Sequence, residues 1–157
     1  MNNLTAGLDP SSKQLGIAVI DNKGELLIYQ DVIIPDPKLD IYERIKAITF
    51  SFNHLVCLFE DVKLVVIERP ASKLNFKTLH ALSVLDGIIL CLLWLNYPNI
   101  EIKWVAATTV KKRAAGSGRA SKEEVMAAIN KRLGIVETNN NITDACAIAL
   151  CGVDDGS

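Results

Sequence analysis

Apolar residues cluster in short runs at the start of the chain and fall into helical spacing further on. Ala6 to Leu8 and Leu15 to Ile20 flank a Pro-Ser-Ser-Lys turn, and Leu26 to Ile34 follows a second turn at Asp21-Asn-Lys-Gly24. Aliphatic and β-branched runs bounded by Pro, Gly and Asn predict three strands in an antiparallel meander, ended by Pro35 and Pro37. Asp40 with Glu43 resembles a capping box, and Ile41, Ile45, Ile48, Phe52, Leu55 and Phe59 then form one stripe of a helix reaching about Phe59. Lys63 to Ile67 is continuously aliphatic and too short for a helix, as suits a parallel strand buried on both faces.

A long helix is predicted over Asn75 to Leu95, apolar on nearly every side in its second half, which implies burial all round. Its most apolar run, Gly87 to Leu95, is shorter than the roughly 20 residues of a membrane span. A core of this size hides such a helix poorly, so part of it is expected to face another subunit. Ile100 to Val105 reads as a strand and Thr108 to Ala114 as one or two helical turns. Ser121 with Glu124 is a second capping box, opening a helix that stops at Gly134. Ile142 to Gly152 is the last helix. The element order is βββαβαβ followed by helices.

The chain has 157 residues, half of them apolar, which fits one soluble globular domain over 1–157. No cationic start leads into an apolar segment, so a secretory signal is not expected and a cytoplasmic location is. The four cysteines, at 57, 91, 146 and 151, form no CxxC pair and are expected as buried free thiols. His54 and Cys57 share a helix face without a second pair to complete a zinc site.

Net charge is −1 but uneven. Between Val105 and Arg132 lie Lys111, Lys112, Arg113, Arg119, Lys122, Lys131 and Arg132 against Glu123 and Glu124, a local excess of +5 over a remainder of −6. A basic segment on an acidic body suggests a localised polyanion site, although Lys131 and Arg132 also suit a solvated helix face.

Three carboxylates stand at element ends: Asp9 after the first strand, Glu68 after the fourth, and Asp144 on the last helix. Singly each has a plain explanation, Asp9 as a turn residue and Glu68 as a solvated strand end. Together they can meet at one end of a sheet, where a self-repelling acid cluster is relieved by a hard divalent cation. Lys122 opens a helix, where a cation opposes the dipole, so a nearby phosphate or carboxylate is expected.

GLDPS, VIERP, VKKRAAGSGRASKEEV and TDACAIAL, in that order, resemble the blocks of the RuvC-type Holliday-junction resolvases, of the RNase H-like superfamily. The resemblance spans about Leu4 to Gly152. It implies a mixed five-stranded sheet (three antiparallel strands, then parallel ones) flanked by helices, in a dimeric nuclease that nicks four-way junctions with Mg²⁺ or Mn²⁺, two ions per site. It places Asp9, Glu68 and Asp144 on metal-binding acids. Lys111 and Lys122 fall on lysines linked to DNA binding and catalysis. Two positions depart from the family pattern. Asn141 stands where an acid is common; its amide oxygen is a possible metal ligand without charge, and Asn141 is also a good N-cap. Ala71 stands where cellular members place an aromatic residue, with Phe76 nearby.

Branched DNA is therefore the expected partner, contacted by Lys111, Lys112, Arg113, Arg119 and Lys122, with Arg69, Lys73 and Lys77 as further phosphate contacts. The 75–95 helix is the expected homodimer face. The alternatives are a branched-DNA-binding module weakened by Asn141, or an RNA-processing nuclease of the same fold. A sugar-kinase-like phosphotransferase shares the Asp-plus-turn hairpin, but needs two such domains and a phosphate loop this chain lacks.

Overall fold

A computed structural model describes residues 4–33, 36, 38–70 and 74–153. The strands are β1 (Leu4–Pro10), β2 (Gln14–Ile20), β3 (Leu26–Ile33), β4 (Val62–Glu68) and β5 (Glu101–Val105). They form one mixed sheet in the order β3-β2-β1-β4-β5. β1 runs antiparallel to β2 and β2 to β3, whereas β1, β4 and β5 are parallel. β1, β3, β4 and β5 therefore all end at the same edge of the sheet, the edge that carries Asp9 and Glu68.

The helices are α1 (Ile41–Leu55), α2 (Phe76–Asn96), α3 (Ala107–Ala115), α4 (Lys122–Leu133) and α5 (Asn140–Val153). α1 and α2 cover one face of the sheet, where Leu8, Ile17, Phe52, Val65, Leu85 and Ile89 are buried together. α3, α4 and α5 cover the other, over Ala18, Val66, Val125, Ile129 and Ile148. Strand alternation sends Leu8 and Ile17 to the first face and leaves Asp9, Gly16 and Glu68 on the second.

α5 lies against β1 and β2 because Gly7, Gly16 and Gly152 have no side chains. A Cβ on Gly7 would sit 2.1 Å from the Ala145 carbonyl oxygen and 2.4 Å from the Ala149 nitrogen. This close approach brings Asp144 beside the end of β1.

Several element ends differ from expectation for local reasons. The stripe of α1 holds, but the helix tightens into a 3-10 turn at Val56–Phe59. Asp40 caps α1 by accepting from the Tyr42 N–H, while Glu43 pairs with Lys46 instead of completing a capping box. Ser121 and Glu124 do form theirs, and Gly134 ends α4 in the left-handed conformation at φ 66°. The last helix begins earlier than expected, with the Asn139 side chain accepting from the Asn141 N–H. Asn141 is thus inside the first turn and is not the cap. Pro35 and Pro37, expected to end the third strand, lie outside the described residues.

α2 is not buried on all sides. Ala81, Leu82, Leu85, Asp86, Ile89 and Leu93 face the core, while Val84, Trp94 and Leu95 are exposed, Leu95 by 76%. No further layer covers that side of the sheet among the described residues. The helix has 21 residues and contains an 18-residue window of mean hydropathy 1.9, enough by length and composition to cross a membrane, so counting only Gly87 to Leu95 understated it. The cysteines divide likewise: Cys146 and Cys151 are buried, but Cys57 and Cys91 are exposed, contrary to expectation.

Candidate active site

Asp9, Glu68 and Asp144 line one pocket of about 130 Å³ together with Ala107, Val110, Lys111, Lys122 and Val125. Each acid arrives on a different element, from the ends of β1 and β4 and from the second turn of α5. The pocket floor is apolar because α3 and α4 bury Val110 and Val125 against α5.

Burial in this pocket governs the protonation of all three acids. It pushes the Asp9 carboxyl up from 3.8 to about 7, with the charges of Asp144 and Glu68 adding to the shift, Lys122 opposing it, and Asp31 adding slightly. Burial raises Glu68 as well, helped by Asp144 and opposed by Lys122 and Lys111. It also raises Asp144, against the lowering effect of Lys122 and Lys111. Desolvation and like charge both favour the protonated form, and a bound cation reverses that preference.

Lys122, at the first position of α4, donates to Asp144 Oδ2 at 3.5 Å. Its side chain is 61% exposed and that of Asp144 only 22%, so the ammonium stands at the pocket mouth. Here is the carboxylate that its unfavourable place at a helix start required. Among the described residues no three acidic, histidine or cysteine side chains converge tightly enough to cage an ion. The three acids share one pocket without forming such a cage. The donor set nonetheless suits a hard divalent cation: three carboxylates in one pocket with open space for water or phosphate oxygens.

The remaining expected residues separate. Lys111 lines the pocket, while Lys112 and Arg119 are exposed on α3 and on the loop after it. Arg69 is exposed just beyond Glu68, its N–H bonded to the Val105 carbonyl. Arg113 turns away: its Nη1 donates to the Cys151 carbonyl at 2.7 Å, in the last turns of α5, about 10 Å along the helix from Asp144. Lys77 pairs with Asp40 at 3.2 Å, on the opposite face of the sheet. Lys73 and Ala71 lie outside the described residues.

Asn141 does not line the pocket. Its Oδ1 accepts from Gln14 Nε2, and its Nδ2 donates to Asp31 Oδ2 at 3.2 Å. Both ends of the amide are thereby engaged, which leaves the expected metal ligand turned to another task. Asp31 was not anticipated from the sequence. The signal was an acid within the third strand, and only strand register shows that it lies on the same face as Asp9.

Residues 5–152 match the family model described as crossover junction endodeoxyribonuclease RuvC. A protein of that name from Chloroherpeton thalassium is 33% identical over 153 residues, covering 95% of this chain and 81% of the relative. The same enzyme from Chlamydia trachomatis serovar L2 is 28% identical over 158 residues, covering 96% of this chain and 91% of the relative. Among solved structures, Thermus thermophilus RuvC superposes with a TM-score of 0.73 at 24% identity, covering 94% of this chain and 91% of that one. Its complex with a Holliday junction gives 0.75 at 22% identity, covering 94% and 90%. The structural likeness establishes the RNase H-like fold, and the matched length and identity establish the lineage: the chain belongs to the RuvC family of crossover junction endodeoxyribonucleases.

Proposed function

We propose that this chain cuts branched DNA, resolving four-way junctions by paired phosphodiester nicks. The family is metal-dependent, and the reading here is of two Mg²⁺ or Mn²⁺ ions per site. The observation that carries it is the meeting of Asp9, Glu68 and Asp144 in one pocket rimmed by Lys111 and Lys122. Asp9, Glu68 and Asp144 would be the residues that hold the ions, with Asp9 as the shared ligand and Glu68 and Asp144 each contributing to one. Bound divalent cations would activate water and stabilise the leaving oxygen.

The protein's own groups do the rest. Partial burial lowers the dielectric around the acids, which strengthens their attraction for a cation once they are ionised. Lys122 sits where it can leave Asp144 for a phosphate oxygen and steady the charge that develops there. Lys111, Lys112, Arg119 and Arg69 supply phosphate contacts along the same edge of the sheet, contacts that position DNA without reading its sequence. The exposed side of α2, with Val84, Trp94 and Leu95, fits a second copy of this chain. A two-fold dimer through it would offer two pockets to a two-fold symmetric junction.

Labelled four-way, Y-shaped and linear duplexes incubated with Mg²⁺ or Mn²⁺ test the proposal, with Asp9→Asn beside the native chain. Paired nicks in the four-way junction, lost in Asp9→Asn, are expected. Equal cutting of linear duplex would overturn the junction selectivity. Tight junction binding without cutting would favour a binding-only module, the reading that the engaged Asn141 amide keeps in play.

A further inference from the structure

Asp9, Gly16 and Asp31 lie opposite one another across β1, β2 and β3. Residues directly opposite in a sheet project to the same face, so Asp31 shares the α5 side with Asp9. The residue between them has no side chain. A Cβ on Gly16 would meet the Asn141 carbonyl oxygen at 2.4 Å, so the first turn of α5 rests directly on this row.

The surroundings of Asp31 are lopsided. Its Oδ2 accepts from Asn139 Nδ2 at 2.6 Å and from Asn141 Nδ2 at 3.2 Å. Its Oδ1 is buried and has no hydrogen-bond partner among the described residues. An ionised carboxylate has about four lone-pair sites, and leaving an oxygen buried and unpaired costs about 1–3 kcal/mol or more. A carboxylate holding the start of a helix would account for Oδ2, but not for the unpaired Oδ1.

Asn141 is oriented by the same contacts. Only its NH₂ can face the Asp31 carboxylate, so its oxygen faces Gln14. The amide ties β2, β3 and the first turn of α5 together.

Resting on the cation-dependent reading of the Asp9 pocket, we propose that Asp31 adds the fourth negative charge to that cation site, with Asn141 as the strut that holds it there. Asp31 does not itself line the pocket; it stands two strands from Asp9, about 10 Å across the sheet, and its charge is the smallest of those acting on the Asp9 carboxyl.

Mn²⁺ titration of the DNA-free protein, followed by the loss of the free-ion paramagnetic resonance signal, tests this without reference to cleavage. Asp31→Asn keeps the size of the side chain and removes the charge. The expected result is Mn²⁺ affinity weakened about tenfold, the through-space effect of removing one charge about 10 Å from a divalent ion in a partly buried site, with unfolding in EDTA little changed. Should Asp31→Asn fail to fold, Asp31→Ser keeps an acceptor for the two amides and carries the same expectation. Unchanged Mn²⁺ affinity with lower stability in EDTA would make Asp31 a helix anchor only and overturn the inference. Asp9→Asn is measured alongside. If it too leaves Mn²⁺ affinity unchanged, the cation site itself is wrong; if it weakens binding while Asp31→Asn does not, only the role of Asp31 falls.

Discussion

Replacing Asp9 by Asn should stabilise the metal-free protein, and the gain should grow with pH. Burial and the neighbouring acids raise the Asp9 carboxyl from 3.8 to about 7 in the fold. A raised acid binds its proton more tightly in the folded chain than in the unfolded one. The stability it allows is therefore complete below the unfolded value and is lost as pH rises through the folded one. At 1.36 kcal/mol per unit the whole loss is about 4 kcal/mol, of which about 3 kcal/mol falls between pH 5 and pH 8. Burial raises Glu68, Asp144 and Asp86 too, so the native chain should lose stability with rising pH through several groups at once. The informative quantity is the difference between native and Asp9→Asn. Urea unfolding in EDTA at pH 5, 6, 7 and 8 measures it, with the m-value held as a check that the transition has not changed character. The variant should gain about 3 kcal/mol on the native chain across that range, or about 6–12 °C in Tm at this chain length. Parallel pH dependences for the two proteins would refute the reasoning, because they would mean that Asp9 is not the proton-holding acid of the pocket.

Three further outcomes are expected. Gly7→Ala should cost about 3 kcal/mol or more, or prevent folding, because the new Cβ meets backbone atoms of α5 that cannot swing aside; urea unfolding measures it. Asp86 is buried in α2 with Oδ1 unpaired, and burial pushes its carboxyl up to about 6. Asp86→Leu should therefore raise stability at pH 8 by up to about 3 kcal/mol, and by less at pH 5, in the same unfolding series. Trp94→Glu places a charge on the exposed side of α2 and should shift a dimer to monomer in light scattering, with the monomer fold retained by circular dichroism.

The sheet was legible because its signals are local. Aliphatic runs cut by Pro, Gly and Asn mark strands whatever surrounds them, and the stripe from Ile41 to Phe59 has helical spacing by itself. The environment of α2 was less legible, because composition reports that a helix is apolar but not how many layers remain to cover it. Val84, Trp94 and Leu95 were left exposed once one sheet face had been filled by α1 and α2. Cys57 and Cys91 were misjudged for the same reason: each belongs to an apolar pattern whose outer side stays in solvent.

The pocket shows the same division between local and non-local information. Asp9 and Glu68 each have a plain local explanation, and with Asp144 they stood out only as three acids that the element order can bring to one end of the sheet and that fall on the metal-binding acids of the RuvC blocks. Arg113 could not be told from Lys112 or Arg119 by charge. What separates them is the Cys151 carbonyl, 38 residues further along, which only the packing of α3 on α5 brings into reach. Asn141 and Asp31 are the extreme case, 110 residues apart and informative only as a pair. Alone, an asparagine near a helix start reads as a cap and an aspartate on a strand reads as solvated. Joined through one amide on the row that holds Asp9, they move the question from whether position 141 can bind a cation to whether the charge of Asp31 reaches one.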